Sequence, residues 1–154
     1  MADYYKNEDT RDIINSLKVY LANTTIVYYK THEFHWNVEG ASFYTLHIMF
    51  EKFYIKLWKS MDETAERIRA LGEKVPPSLA ELLPQATILE NETAPQSQVM
   101  AQILRNDYYA LAENALKIAA LATEKNDLIT ADMMIQRATF LEKAAWMLYS
   151  TIKD

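Results

Sequence analysis

Histidine and carboxylate side chains are the groups in this chain most able to bind a metal, and they cluster in its first half. All three histidines, His32, His35 and His47, lie close together in the sequence. Imidazole nitrogen combined with carboxylate oxygen suits iron, manganese or zinc, without selecting sharply among them. There is no cysteine, so thiolate ligands and disulfides are excluded. The cluster alone is weak evidence, because a histidine near a helix end is more often a surface or capping group.

Carboxylates follow the last histidine at helical spacing. When residues are placed about 100° apart on a helix, four side chains of ligand type share one stripe. They are His47, Glu51, Asp62 and Glu66. The middle of the same stripe carries Tyr54, Ile55 and Trp58. A solvated face would not place tryptophan and isoleucine at its centre, and an ordinary core face would not carry three carboxylates. The pattern therefore indicates a functional face.

The two ends of this stripe are too far apart to share a metal within one chain. At about 1.5 Å per residue, His47 and Glu66 are separated by about 28 Å along the helix. Two copies of the helix that cross antiparallel near Ile55 and Trp58 would bring opposite ends together. Such a two-fold interface is isologous, so it would create two identical sites at once.

The sequence thus predicts a metal site shared between two subunits. His35 lies near the end of the preceding helix, where it could approach the histidine end of the stripe in its own chain. The predicted ligands are His35, His47 and Glu51 of one subunit with Asp62 and Glu66 of the other. This set comprises two imidazoles and three carboxylates.

Helical periodicity predicts four long helices that position these residues. They span about 10–38, 42–72, 93–124 and 127 to near the C-terminus. Gly40 and Gly72 are the only glycines, and each is placed to end a helix. Ser42 is a plausible N-cap for the second helix, and Asn126 or Asp127 for the fourth.

A long connection separates the two pairs of helices. It holds all four prolines, with one short helix expected at 78–83 and Pro95 in the first turn of the third long helix. Two helix pairs joined by one long crossover are typical of the ferritin-like four-helix bundle. The expected fold is therefore all-α, with residues 1–154 as a single domain.

Composition excludes several other classes of protein. The net charge is −5, so the chain has no general electrostatic attraction to nucleic acid. No apolar run approaches the length of a membrane span and the N-terminus lacks a signal-peptide pattern, so we expect a cytoplasmic protein. No Glu-x-x-His occurs, and the last two helices contain no histidine, so a di-iron centre inside one bundle is not expected.

The central segment resembles the signature of the Dps mini-ferritins, the DNA-binding proteins from starved cells. That signature reads H-W-x-V-x-G-x-x-F-x-x-L-H, an acidic residue four positions on, and D-x-x-A-E-R-I after it. The matching positions are His35, Trp36, Val38, Gly40, Phe43, Leu46, His47, Glu51, Asp62, Ala65, Glu66, Arg67 and Ile68. The C-terminal LEKAAWMLYS also resembles the last helix of the family, so the resemblance covers most of the chain.

The resemblance implies an iron-storing protein. The family's ferroxidase ligands carry over onto the same five residues, His35, His47, Glu51, Asp62 and Glu66, although the family often has aspartate where Glu51 stands. It further implies two-fold dimers assembled into a shell of twelve subunits, which oxidises Fe²⁺ with hydrogen peroxide or O₂ and stores ferric mineral. Such a shell protects against oxidative stress. Trp36 resembles an aromatic residue near the family's iron centre, and plain interface packing explains it equally well.

The resemblance also points to acids that line iron-entry pores near the start of the last helix. Asp127 and Asp132 occupy the matching positions, and for Asp127 helix capping is an equally good explanation. Glu63 and Arg67, four residues apart, are expected to pair on the helix surface.

Three other functions have to be weighed against iron storage. A nucleoid protein that binds and protects DNA would need basic tails, but Lys6 and Arg11 are outnumbered by acids and the C-terminal tail is short, so DNA binding through the tails is not expected. The same architecture could hold zinc or manganese without turnover. A purely structural dimer seam would leave carboxylates without partners, which is costly.

Overall fold

Five α-helices and one 3₁₀ turn make up the part of the chain that the structure, a computed structural model, describes, residues 8–153. The helices are α1 (Glu8–Asn37), α2 (Phe43–Ala70), α3 (Leu79–Leu82), α4 (Ser97–Glu124) and α5 (Leu128–Ile152), and the 3₁₀ turn covers Leu83–Gln85. These described residues contain no strand. The predicted all-α bundle of four long helices, with a short helix in the crossover, is confirmed. The N-terminal tail with Lys6 lies outside the described residues.

The helix ends follow the sequence signals closely. Gly40 and Gly72 have φ values of 93° and 96°, which an L side chain adopts only with strain. At the end of α2, the backbone N–H of Glu73 donates to the carbonyl of Ile68 (3.3 Å), as in a Schellman motif. Gly72 therefore ends α2 as predicted, whereas α1 already ends at Asn37 and Gly40 lies in the turn that leads into α2.

The start of α4 differs from the prediction. The helix begins at Ser97 rather than near residue 93, so Pro95 precedes it instead of lying in its first turn. The ring of Pro95 disfavours helical backbone at Ala94. Gln96 is extended (φ −60°, ψ 152°) and serves as the N-cap. Because Gln96 is extended, the helix starts two residues after the proline, at Ser97.

Apolar residues on the inner faces of the four long helices form one core. α1 packs mainly on α2 and α4 on α5. The largest fully buried side chains include Tyr20, Phe34, Phe50 and Tyr108. The hydroxyl of Tyr108 lies 2.9 Å from that of Thr31, so this buried polar atom has a partner. Packing at such density gives α1 and α2 one fixed rotation about their axes.

The long crossover is tied to α1 by two polar side chains. Asn23 accepts hydrogen bonds from the backbone N–H groups of Thr87 (2.8 Å) and Ile88 (3.0 Å). Lys30, which is 6% exposed, donates to the carbonyl of Leu89 (2.8 Å) and to Asp107 of α4 (2.7 Å). These bonds replace regular secondary structure as the means of holding the crossover against the bundle.

Charged side chains connect α2 to α5, which corrects the surface pair expected between Glu63 and Arg67. Arg67 instead donates to Asp127 (2.8 Å) and to Thr130 (2.9 Å), and Glu63 forms an ion pair with Arg137. Arg67 of α2 thus reaches the start of α5, and Arg137 of α5 reaches Glu63 of α2, because the bundle places both side chains at the helix contact. No helix among the described residues is long and apolar enough to cross a bilayer.

Candidate metal centre

His35 and His47 are held together by two reciprocal hydrogen bonds. Nδ1 of His35 donates to the carbonyl oxygen of His47 (2.8 Å), and Nδ1 of His47 donates to the carbonyl oxygen of His35 (2.8 Å). The rings stack with their centroids 3.9 Å apart and an interplanar angle of 17°. The end of α1 and the start of α2 are thereby joined through the two residues predicted as metal ligands.

These bonds determine which ring nitrogen is available to a metal. A carbonyl oxygen can only accept, so each Nδ1 must carry the proton. In a neutral imidazole, Nε2 then keeps its lone pair, which is the form that binds a metal. Protein metal sites commonly orient their histidines through such a bond from the other ring nitrogen. The pair is therefore arranged as two metal-ready imidazoles before any metal binds.

The three carboxylates lie along α2 on both sides of its midpoint. Glu51 follows His47 by one helical turn and is half-buried, whereas Asp62 and Glu66 are exposed on the second half of the helix. Within residues 8–153 of one subunit, no three ligand-type side chains converge on a possible metal position. A single subunit thus brings the two histidines together but leaves Asp62 and Glu66 far from them.

Large apolar side chains are exposed between the two ends of this face. Ile55 and Trp58 are 53% and 59% exposed at the centre of α2, and Tyr29 and Trp36 of α1 are similarly exposed. Beside them, an apolar groove of about 410 Å³ runs between α1, α2 and α3. Apolar patches of this kind on a soluble protein usually mark an interaction surface.

His32 is the one histidine to which the sequence assigned no role. Its Nδ1 lies 3.1 Å from the hydroxyl oxygen of Tyr28, and its ring stacks on Tyr54 at 3.8 Å with an interplanar angle of 14°. Burial, and secondarily the nearby charge of His35, lower the pKa of His32. The spacing of Tyr28, His32 and Trp36, each four residues apart, was the signal in the sequence that these rings lie together.

Asp127 is occupied as a helix cap. Its carboxylate accepts from the backbone N–H of Thr130 (3.0 Å) and from Arg67. Burial would raise the pKa of Asp127, but the hydrogen bonds from Thr130 and Arg67 outweigh burial and hold this pKa below its usual value. Asp132 is exposed and accepts a hydrogen bond from Gln136 (2.6 Å). The capping explanation of Asp127 is confirmed, and a pore-lining role stays a prediction for Asp127 and Asp132 alike.

Comparison with known proteins identifies the family and agrees with the fold. A ferritin-like domain model matches residues 14–154. The chain is 33% identical to DNA protection during starvation protein 2 of Bacillus anthracis, over 90% of this chain and 94% of that protein.

Solved structures of Dps proteins have the same fold as this chain. A Dps protein from Bacillus brevis superposes with a TM-score of 0.92 at 32% identity, covering 96% of this chain and 99% of that one. A Dps protein from Vibrio cholerae O1, described as a member of a broad superfamily of ferritin-like diiron-carboxylate proteins, gives a TM-score of 0.90 at 32% identity over 94% of this chain and 91% of that one. The chain therefore belongs to the Dps family of mini-ferritins, within the ferritin-like superfamily.

Proposed function

We propose that this protein oxidises Fe²⁺ at sites shared between two subunits and stores the ferric product inside a shell of twelve. Hydrogen peroxide is the main oxidant and O₂ a second, so the reaction removes both reagents of oxidative damage. Membership of the family supports iron storage or DNA protection under stress. The observation that carries the finer proposal is the reciprocal pairing of His35 and His47, which leaves both Nε2 lone pairs free.

The proposed ligand set combines that pair with three carboxylates. It consists of His35, His47 and Glu51 of one subunit with Asp62 and Glu66 of the partner subunit. Carboxylate oxygens favour Fe³⁺ over Fe²⁺, so three of them make loss of an electron easier. Zinc and manganese suit the same donors and would act as substitutes or inhibitors.

The exposure of the second half of α2 supports a site completed by a partner. Neither Asp62 nor Glu66 forms an ion pair with any residue that the structure describes. Between them and His47 lie the exposed Ile55 and Trp58, which an antiparallel partner helix would cover. Covering this apolar centre would bring the carboxylates of each subunit to the histidines of the other.

The first test compares iron oxidation in wild type with a His47→Ala, Asp62→Ala double variant of confirmed assembly state. Fe²⁺ is added without oxygen, hydrogen peroxide follows, and ferric absorbance and co-elution of iron with the shell are measured. We expect rapid oxidation and soluble iron in the wild type only. Glu113→Ala, an exposed residue of α4, is the matched control and should behave as wild type.

Mixing two single variants tests whether the site is shared. When His47→Ala and Asp62→Ala subunits assemble together at random, half of the dimers are mixed, and each mixed dimer regains one intact site. Activity should recover to about a quarter of the wild-type value. No recovery would show that each site lies within one subunit, and equal rates in wild type and the double variant would eliminate the proposed ligands.

DNA protection is the second candidate, favoured by the name of the Bacillus anthracis relative. The net charge of −5 opposes it, because a protein that neutralises several phosphates needs a concentrated basic surface. A gel shift at low salt distinguishes the two functions.

A further inference from the structure

Aromatic rings of α1 and α2 form a continuous array that starts at the proposed metal ligand His35. The ring of His35 meets the ring of Tyr54 edge-on with centroids 5.3 Å apart. Tyr54 stacks on His32 at 3.8 Å, and the ring of Tyr28 lies 5.7 Å from that of His32. Each step is close to van der Waals contact, so an electron can pass along the array without a long gap.

The array ends at a tyrosine whose hydroxyl faces an imidazole. The hydroxyl oxygen of Tyr28 and Nδ1 of His32 are 3.1 Å apart. In the tautomer with the proton on Nε2, the phenol donates this hydrogen bond. Among the tyrosines that the structure describes, only Tyr28 has this arrangement; Tyr108, for comparison, meets the hydroxyl of Thr31.

This pairing matters because a phenol that loses an electron becomes a strong acid. Oxidation is easy only where a base already receives the phenolic proton, and a histidine in a hydrogen bond is such a base. Tyr28 is also half-buried, which keeps a radical away from solvent, whereas Trp36 is 56% exposed. The structure thus provides both an electron path and a proton acceptor for Tyr28.

We propose that Tyr28 is a one-electron donor to the shared metal site, with His32 as the acceptor of its proton. The inference rests on the proposed ferroxidase function. It applies when a site holds a single Fe²⁺, which can supply only one of the two electrons that hydrogen peroxide needs. Without a second donor, cleavage of the O–O bond would yield Fe³⁺, hydroxide and a hydroxyl radical.

The step balances with Tyr28 included. Fe²⁺ and Tyr28 each give one electron, the O–O bond breaks, and the peroxide becomes two hydroxide ions. The phenolic proton moves to Nδ1 of His32. The products are Fe³⁺, a neutral tyrosyl radical, protonated His32 and the two hydroxides. Tyr28 therefore keeps a partly loaded site from releasing hydroxyl radical.

The test uses the assembled protein with less Fe²⁺ than one ion per site, mixed with hydrogen peroxide and frozen rapidly. Electron paramagnetic resonance measures tyrosyl radical, and a spin trap in a parallel sample measures hydroxyl radical. Three variants are compared with wild type: Tyr28→Phe, His32→Phe and, as control, Tyr109→Phe on α4. His32→Phe keeps an aromatic ring against Tyr54 but removes the proton acceptor.

We expect a tyrosyl signal in wild type and Tyr109→Phe, loss of the signal in Tyr28→Phe, and a strong reduction in His32→Phe. Trapped hydroxyl radical should rise in the latter two variants. A signal unchanged in Tyr28→Phe overturns the assignment of the donor, and one unchanged in His32→Phe overturns the role of the imidazole.

A second measurement separates this inference from the proposed function. In iron-free protein, an excited ruthenium complex serves as the oxidant, and tyrosyl absorbance follows the laser pulse. Yield should fall in Tyr28→Phe and His32→Phe but not in Tyr109→Phe. Rapid iron oxidation with equal tyrosyl yields in all variants overturns the inference alone. Absence of iron oxidation in wild type overturns both proposals.

Discussion

At the scale of single residues, the reciprocal pairing of His35 and His47 separates folding from metal binding. Each ring uses Nδ1 to hold the structure together and keeps Nε2 for a ligand. The two nitrogens therefore have different roles, and a substitution can remove one while preserving the other.

His35→Asn tests this separation. The amide nitrogen of asparagine can still donate to the carbonyl of His47, but no atom replaces Nε2. We expect the melting temperature to stay near that of wild type while affinity for Co²⁺, a metal that does not turn over, falls. Loss of a ligand should cost at least the roughly 10–100-fold that follows loss of a ligand's supporting hydrogen bond. Calorimetric titration measures it, and unchanged affinity would remove His35 from the site.

Asp127 supplies a residue-scale prediction about pH. Asp127→Ala removes the cap of α5 and the partner of Arg67, so the free energy of unfolding should fall by about 1–3 kcal/mol at neutral pH. Because the folded pKa of Asp127 is lowered, its stabilisation is complete above the unfolded pKa and disappears as pH falls through the folded one. Urea titrations from neutral to acidic pH should show wild type and variant converging. A constant difference would contradict the assignment.

At the scale of elements, the crossover depends on a buried charge. Lys30 of α1 is 6% exposed and pairs with Asp107 of α4, while also holding the carbonyl of Leu89. Burial raises the pKa of Asp107, and the hydrogen bond and positive charge of Lys30 counteract this rise only in part. The ammonium group of Lys30 thus connects α1 to both α4 and the crossover.

Lys30→Met should therefore be among the more damaging substitutions outside the metal site. It strands the carboxylate of Asp107 in a largely buried position, at a cost of about 3–5 kcal/mol. The double variant Lys30→Met, Asp107→Leu should recover much of this loss, since no charge is then left without a partner. Chemical denaturation measures both. A double variant no more stable than the single one would show that the bond to Leu89 dominates.

At the scale of the whole molecule, metal binding and assembly are expected to depend on each other. The exposed Ile55 and Trp58 lie at the centre of α2, and the proposed ligands lie at its ends. A partner subunit that covers Ile55 and Trp58 would also complete the metal sites at the two ends of α2. Metal should therefore stabilise the dimer, and loss of the dimer should abolish the site.

Trp58→Arg tests this dependence. An exposed aromatic residue at the centre of an interface commonly contributes about 2 kcal/mol or more to binding, and a buried unpaired guanidinium would oppose association further. We expect smaller assemblies in analytical ultracentrifugation together with loss of high-affinity Co²⁺ binding. Lys56→Glu, on the opposite face of α2, is the control and should preserve both. Full assembly of Trp58→Arg would place the interface elsewhere.

Sequence alone determined the helices, the stripe on α2 and the family. Period and capping residues are local properties, so the end of α2 at Gly72 and a cap of α5 at Asn126 or Asp127 could be recognised without a fold. Four of the five proposed ligands were likewise visible, because helical spacing places residues on one face whatever surrounds the helix. His35 was added because it lies near the end of the preceding helix and matches the family signature.

Only the tertiary structure decided which side chains meet across helices. The reciprocal bonds of His35 and His47, the pairing of Arg67 with Asp127 rather than Glu63, and the contact of His32 with Tyr54 all join residues of different helices. Such contacts depend on the rotation and offset of each helix, which the packing of the whole core sets. A spacing rule within one helix carries no information about that packing. The fold was therefore needed to show that Nδ1 of His35 and His47 donates a hydrogen bond while Nε2 stays available for a metal.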